Sequence, residues 1–292
     1  MKVLVTGATG YIGQAVVQRL SSAGLEVLGV SRHSTPALDV ASAESCRALL
    51  EAVSPDVVIH AAAESSPAKC EENDCLPVNA PRTFFEALSE KAPTARLIML
   101  STDQVYDGLS HMVSEHQVNP APVNAYGRSK LACEGLVPDA VILRLSYVYG
   151  PPVVGAHATF LQFAEQKLRS PDQFDVFVDE VRNPIYIKDV VDAIAGIVSR
   201  PDFPGGVYHL GGPEALGRDV FVSIVAEHLG VSAEHMLRTE RATCTAPWAL
   251  KVRSPLDISM SSEKLETALG WKALSLRDAL SDLDAELRAA DL

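Results

Sequence analysis

The sequence predicts an α/β fold: a doubly wound parallel sheet with helices on both faces, joined to a smaller C-terminal α/β lobe. Three observations predict it. Short apolar runs alternate with amphipathic stretches through the first half of the chain, the rhythm of strands linked by crossover helices. The runs are apolar at every residue rather than at every second one, as for strands covered on both faces. A turn of spaced glycines lies directly between the first run and the first amphipathic stretch.

Lys2–Thr6 (KVLVT) is the first strand. Ile12, Ala15, Val16 and Leu20 then recur at helical spacing, and Gly24 stops the helix. Glu26–Val30 (EVLGV) is the second strand, and Asp39-Val40 sits where a third would end. Ser45–Val53 reads as helix, Asp56–His60 (DVVIH) as the fourth strand, Pro81–Lys91 as helix and Arg96–Ser101 (RLIMLS) as strand. A helix carries Tyr126, and Val141–Ser146 (VILRLS) is a further strand. The rhythm changes at Gly150-Pro151-Pro152, which sets residues 1–150 apart from a second lobe over 151–292. Ala158–Leu168, Lys188–Val198, Arg218–Leu229 and Leu276–Leu287 read as helices of that half. Val207–Leu210, closed by Gly211-Gly212, reads as a strand returning to the first sheet near residues 205–212. Glu240–Pro255 is the least regular stretch.

The chain has 292 residues, 47% of them hydrophobic, enough for one large core or two modest ones. A net charge of −12 with no basic patch excludes the nucleic-acid binders. It does not exclude an anionic ligand, which answers to local groups. No apolar run reaches the length of a membrane span, and the first is too short for a signal peptide, so a cytoplasmic protein is expected. The five cysteines, Cys46, Cys70, Cys75, Cys133 and Cys244, lack CxxC or nearby-His spacing, so no metal site is expected. Free thiols are the simplest reading, with a Cys70–Cys75 disulfide as the alternative.

The glycine turn reads Gly7-Ala8-Thr9-Gly10-Tyr11-Ile12-Gly13. Between strand and helix, such glycines permit a tight turn, a close approach of backbone to a pyrophosphate, and close helix–sheet contact. The helix start then offers N–H groups and positive dipole to phosphates. This is the phosphate loop of an NAD(P)-binding Rossmann domain. The second strand runs into Ser31-Arg32-His33 with no carboxylate. A hydroxyl and a guanidinium suit the 2′-phosphate of NADP better than the ribose diol of NAD. NADP(H) is therefore the expected cofactor, and NAD(H) the second choice. Asp39 and Val40 are placed to flank the adenine.

In AYGRSKLACEG, Tyr126 and Lys130 stand four residues apart, hence on one face of a helix. With this pair, the glycine loop, His60-Ala61-Ala62-Ala63, Ser101-Thr102-Asp103 and Arg144–Gly150, the chain resembles the extended short-chain dehydrogenase/reductase family. LSTDQVYDG and PAPVNAYGRSKLACE are similar to segments of its dTDP-4-dehydrorhamnose reductase branch. That branch includes the regulatory beta subunit of methionine adenosyltransferase, which HAAAE (His60–Glu64) and NPIYIKDV (Asn183–Val190) also resemble.

The resemblance implies that Tyr126 donates a proton to a substrate carbonyl, that Lys130 holds the nicotinamide ribose, and that Thr102 hydrogen-bonds the same oxygen. Ser101 competes for the last role; the spacing to Val105-Tyr106 favours Thr102. The ammonium is expected to draw the phenol's pKa down from about 10. Ala61, Ala62 and Ala63 are expected at the cofactor. Asp103 and Gln104 are expected at substrate hydroxyls, and Arg182 and Arg253 at a nucleotide diphosphate. Asn79 either holds backbone at the rim or caps the helix at Pro81, with the cap slightly favoured. His60 is expected to be packed or to lie on the ribose side rather than to catalyse. Glu64 could reach a substrate or a partner.

Two departures fall on the substrate side. Arg182-Asn183-Pro184-Ile185 stands where the branch has Gly-x-Pro-Thr, and Tyr147-Val148-Tyr149 where it has Trp-Val-Tyr. The implied activity is NADPH-dependent reduction of a 4-keto nucleotide-activated deoxysugar. The alternatives are an NADP-binding regulatory subunit partnering a methionine adenosyltransferase, and a nucleotide-sugar epimerase. A 4,6-dehydratase would need an acidic pair beside the threonine, and here Gln104 follows Asp103. The branch can dimerise, some members through a magnesium ion, so a homodimer is open. No carboxylate cluster here takes over that ion's place.

Overall fold

The computed structural model describes residues 1–244 and 252–290. Its centre is a six-stranded parallel sheet ordered β10-β5-β4-β3-β1-β2. The strands are β1 (Lys2–Thr6), β2 (Glu26–Val30), β3 (Val57–His60), β4 (Arg96–Thr102), β5 (Val141–Leu145) and β10 (Gly206–Leu210). Burial on both faces explains their composition. On β1, Val3 and Val5 join the core on one side while Leu4 joins the core on the other, and all are fully buried. The first side is covered by α1 (Tyr11–Ser22) and α8 (Ile187–Val198), the second by α2 (Ala43–Val53) and α5 (Arg82–Lys91).

One expected strand is missing. The chain at Asp39-Val40 runs as a loop into α2, so Val57–His60 is the third strand rather than the fourth. The segment after β2 is held locally instead, by a bridge between Ser31 and Ala37 and by the Leu38 N–H on the Ser31 carbonyl. This leaves β2 as the sheet edge. Two short helices were also not foreseen, α3 (Pro67–Glu72) and α4 (Leu76–Asn79). Tyr126 and Lys130 ride on α6 (Ala125–Glu134). Because β1 is flanked by β2 and β3, crossovers leave it in opposite directions, and a crevice opens at the carboxyl ends of these strands.

Beyond Gly150 the lobe over that crevice is built from very short pairings. β6 (Val148–Tyr149) pairs with β9 (Ile185–Tyr186), β8 (Val181–Arg182) with β11 (Leu216–Gly217), and β7 (Phe174–Phe177) with β12 (Met236–Thr239). α7 (Phe160–Leu168), α9 (Arg218–Leu229) and α11 (Leu276–Ala290) pack with these, whereas α10 (Glu263–Leu269) lies against β10 and α8. Of the irregular stretch Glu240–Pro255, residues 245–251 lie outside the described residues. All five cysteines are free and buried, so the Cys70–Cys75 disulfide is not formed. Among the described residues, no helix is long and apolar enough to cross a membrane.

Candidate active site

Two adjoining cavities fill the crevice. One, of about 360 Å³, is lined by the glycine loop and the end of β2; the other, of about 590 Å³, by Thr102, Tyr126, Lys130 and the second lobe. Tyr11, Ala61, Ala63, Ser65 and His157 line both, so the two make one continuous groove.

In the first cavity, Gly7 has φ +70, and a Cβ there would stand 2.7 Å from the Ala61 carbonyl carbon. A Cβ on Gly13 would stand 2.2 Å from the Gly7 oxygen, which is why α1 can start directly beneath the loop. Gly10 caps α1 without any side-chain hydrogen bond, and the first turn holds no acidic residue. The loop and helix start thus favour an anion. Gly7, Thr9, Gly10 and Tyr11 line this cavity, with Ser31, Arg32, Asp39, Val40, Ala61, Ala62 and Ala63; Ile12 lines the other. Gly13 lines neither and acts through close contact. Arg32 is exposed at the β2 end, and the Ser31 hydroxyl accepts from the His33 N–H at 3.2 Å.

The second cavity gathers the pair and the threonine. Asn124 caps α6, its Oδ1 accepting from the Gly127 N–H at 2.8 Å. Its amide nitrogen donates to Gln104 Oε1 at 2.8 Å and to the Arg253 carbonyl at 3.2 Å. The start of α6 is therefore pinned against the turn after β4. Ser101 and Thr102 are separated by the alternation of that strand. Ser101 Oγ donates to buried Glu134 at 2.5 Å, whereas Thr102 Oγ1 caps the turn, accepting from the Gln104 N–H at 3.3 Å and donating to Asp103 at 3.1 Å. Thr102 is thus the hydroxyl grouped with Tyr126.

The expected effect of Lys130 on Tyr126 is not what the structure holds. Burial pushes the Tyr126 phenol well above its ordinary range, the hydrogen bond with Thr102 opposes this, and the Asp103 carboxylate adds to the rise. Burial decides the direction. Lys130 is itself 2% exposed, with its pKa lowered by burial, and its ammonium has no hydrogen-bond partner among the described residues. A buried cation in the second cavity, an anion-favouring loop in the first, and a guanidinium without carboxylate at the β2 end together fit a dinucleotide bearing a 2′-phosphate.

Asn79 holds rim backbone and does not cap the next helix. It is fully buried, bonds both backbone groups of Glu64, and donates to Ser129 Oγ at 3.0 Å. The Glu64 carboxylate pairs with Lys69 at 3.5 Å and accepts from the Ser66 N–H. His60 is a packed residue: fully buried, stacked on Phe84, with Nδ1 3.0 Å from Thr6 Oγ1.

On the substrate side, Asp103 and Gln104 line the groove. Asp103 is 4% exposed, and burial raises its carboxyl to about 6, with Arg182 pulling the other way. Arg182 reaches the wall, with Nε 3.9 Å from Asp103, but its terminal nitrogens donate to the carbonyls of Val181, Pro255 and Leu256. It is chiefly a clamp between β8 and the segment at 255–256. Arg253 is exposed and lines a separate cavity of about 290 Å³, so the pair expected at a diphosphate is not brought together. The arginines beside Arg182 are Arg218 and Arg241, which sequence reading missed; each stands 2.7 Å from an oxygen of fully buried Glu180. An arginine opening a helix right after Leu216-Gly217 was the available signal for Arg218.

These features have close relatives. The family described as RmlD substrate binding domain matches residues 1–289. A Haloferax volcanii protein named "Probable low-salt glycan biosynthesis reductase Agl14" is 30% identical over 98% of each chain. The Danio rerio methionine adenosyltransferase 2 subunit beta is 24% identical over 96% of this chain and 89% of its own. A Bacillus anthracis dTDP-4-dehydrorhamnose reductase, solved in complex with NADP, superposes with a TM-score of 0.85 at 21% identity, over 98% of this chain and 99% of that one. The chain belongs to the RmlD substrate-binding domain family, the dTDP-4-dehydrorhamnose reductase branch of the extended short-chain dehydrogenases/reductases.

Proposed function

We propose that the protein is an NADPH-dependent reductase of a 4-keto nucleotide-activated deoxysugar. The observation that carries this reading is the convergence of Thr102, Tyr126 and Lys130 on the larger cavity, which runs on into the one lined by the glycine loop. NADPH, when bound, supplies the hydride that adds to the carbonyl carbon. The glycine loop and α1 would hold its pyrophosphate, Arg32 its 2′-phosphate, and Lys130 its nicotinamide ribose. Tyr126 would hold its proton until negative charge grows on the carbonyl oxygen. Its raised pKa keeps it in the acid form at neutral pH, as reduction requires. Thr102 would donate to the same oxygen once turned from Asp103. Arg218 and Arg241, with Arg182 behind them, supply more positive charge to the far wall than Glu180 and Asp103 remove, which suits a sugar diphosphate.

A second reading rests on the relative from Danio rerio: a cofactor-loaded regulatory subunit of a methionine adenosyltransferase. The stretch Asn183–Val190 that motivates it is mostly interior here, however. Asn183, Tyr186 and Val190 are fully buried, and Asn183 bonds the Met260 N–H and the Gly212 carbonyl. Core residues of this kind do not make a docking surface.

The test is the fall of NADPH absorbance with a dTDP-4-keto-6-deoxy sugar, in wild type and Tyr126→Phe. We expect oxidation in wild type and a loss of about 10²–10⁴-fold in the variant. NADPH binding without oxidation across a panel of 4-keto nucleotide sugars would sink the reductase reading.

A further inference from the structure

Tyr126, Lys130 and Glu134 fall at i, i+4 and i+8 on α6, one stripe of the helix. Glu134 sits at its end, 6% exposed, and is gripped by two strands. Ser101 of β4 donates to Oε1 at 2.5 Å, and Arg144 of β5 makes a fork, Nε to Oε1 at 3.0 Å and Nη2 to Oε2 at 2.6 Å. Arg144 Nη1 donates onward to the Tyr106 hydroxyl at 2.7 Å, which lies 2.7 Å from His209 Nε2 on β10. His209 Nδ1 faces the Ser261 carbonyl at 3.2 Å, so Nε2 is the acceptor and Tyr106 donates to it. The end of α6 is thus fastened across β4, β5 and β10.

A buried ion pair is a poor stabiliser compared with apolar residues of the same volume. What apolar residues could not supply is negative charge one helical turn from Lys130. Burial lowers the Lys130 pKa, and the groups that oppose this are Cys133 and Glu134 on its own helix. Cys133 is a buried thiol with a raised pKa, hence neutral. His60 faces Lys130 from β3, and burial with the lysine's charge drives it down to about 3, so it too is neutral. Glu134 is then the charged neighbour on the lysine's side.

We propose that Glu134 is a positioning residue of the reaction: its strand clamp fixes the height of α6, and its carboxylate holds Lys130 as a cation where the nicotinamide ribose sits. This rests on the cofactor assignment above. The lysine ε-ammonium can be read without cofactor, by NMR of protein labelled at lysine 13Cε and 15Nζ, with the Lys130 signal assigned by its loss in Lys130→Met. Glu134→Gln combined with Arg144→Gln removes the charge without stranding a buried guanidinium. In this folded double variant we expect the Lys130 titration midpoint to fall by about one pH unit, a tenfold change in proton affinity. NADPH affinity, read by fluorescence titration, should drop on the alkaline side of the shifted midpoint and recover as pH falls below it. Ser101→Ala keeps the charge and should leave the midpoint unchanged. Should the double variant not fold, Glu134→Gln with Arg144→Met gives the same reading with an apolar filler. A midpoint unmoved in the folded variant overturns the proposal and leaves Glu134 a structural anchor. Wild-type protein that fails to bind NADPH would instead sink the cofactor assignment, and the lysine midpoint would still decide this point.

Discussion

Asn79 grips Glu64 at both ends of its side-chain amide: Oδ1 accepts from the Glu64 N–H at 2.7 Å, and Nδ2 donates to the Glu64 carbonyl at 3.0 Å. One fully buried side chain thereby replaces a backbone partner for the strand-like stretch after β3, and ties it to α6 through Ser129. That stretch, Ala61–Glu64, lines the first half of the groove, and its Ala61 and Ala63 line both halves.

Replacing Asn79 should therefore affect both stability and binding. Asn79→Ala strands two backbone groups at a cost of about 1–3 kcal/mol each where they stay buried. We expect a lower urea midpoint at unchanged slope, and an NADPH dissociation constant raised several-fold. Asn79→Asp should fare no better, because a carboxylate cannot donate to the Glu64 carbonyl or to Ser129. A normal NADPH affinity in a destabilised Asn79→Ala protein would show that the rim is positioned by other contacts.

Arg32 offers a cleaner separation of the two cofactors. It is exposed at the end of β2, where β2 is the sheet edge and no carboxylate replaces it. A guanidinium–phosphate contact is worth about 1.5–3 kcal/mol, so Arg32→Ala should weaken NADPH by roughly 10- to 100-fold. NADH, lacking the 2′-phosphate, should bind as before. Parallel fluorescence titrations of the two cofactors at fixed salt decide it. Equal losses for both would place Arg32 on the pyrophosphate or in the fold, not on the 2′-phosphate.

What the sequence made legible follows from the physics of each part. The strands flanking the crevice are buried on both faces, so KVLVT and RLIMLS declare themselves by composition. The glycine loop does so because Gly7 and Gly13 meet backbone at distances no side chain tolerates. The third strand failed because Asp39-Val40 is held by local turns that mimic a strand end. β6, β8, β9 and β11 are two residues long, too short to carry a period. Arg218 and Arg241 went unnoticed beside Arg182 because nothing in a linear string shows that Glu180, fully buried, gathers them around it. The rise in the Tyr126 pKa was missed for a similar reason: the lysine four residues on is visible in sequence, and the burial of the phenol is not.

Asp103 should leave a signature in the pH dependence of stability. Folding raises its carboxyl from the ordinary 3.8 to about 6, chiefly by burial, against the pull of Arg182 and of hydrogen bonds from Thr102 and Ser146. The folded state therefore binds this proton more tightly than the unfolded chain. The resulting stabilisation is complete below the unfolded value of 3.8 and is lost as pH rises through about 6. Above that, the folded protein carries a buried carboxylate whose partner, Arg182, stands at 3.9 Å with its terminal nitrogens engaged by backbone. Asp103→Asn removes the titration while keeping an acceptor for Ser146 or Thr102. We expect the variant to gain about 1–3 kcal/mol over wild type at pH 7–8, with the gain shrinking as pH falls toward 4. Urea unfolding of both proteins at half-unit steps from pH 4 to 8 measures the difference directly. A difference that does not change with pH would mean that Asp103 is ionised throughout, held by Arg182 more strongly than their separation suggests. It would then add its negative charge to the wall facing the substrate at every working pH.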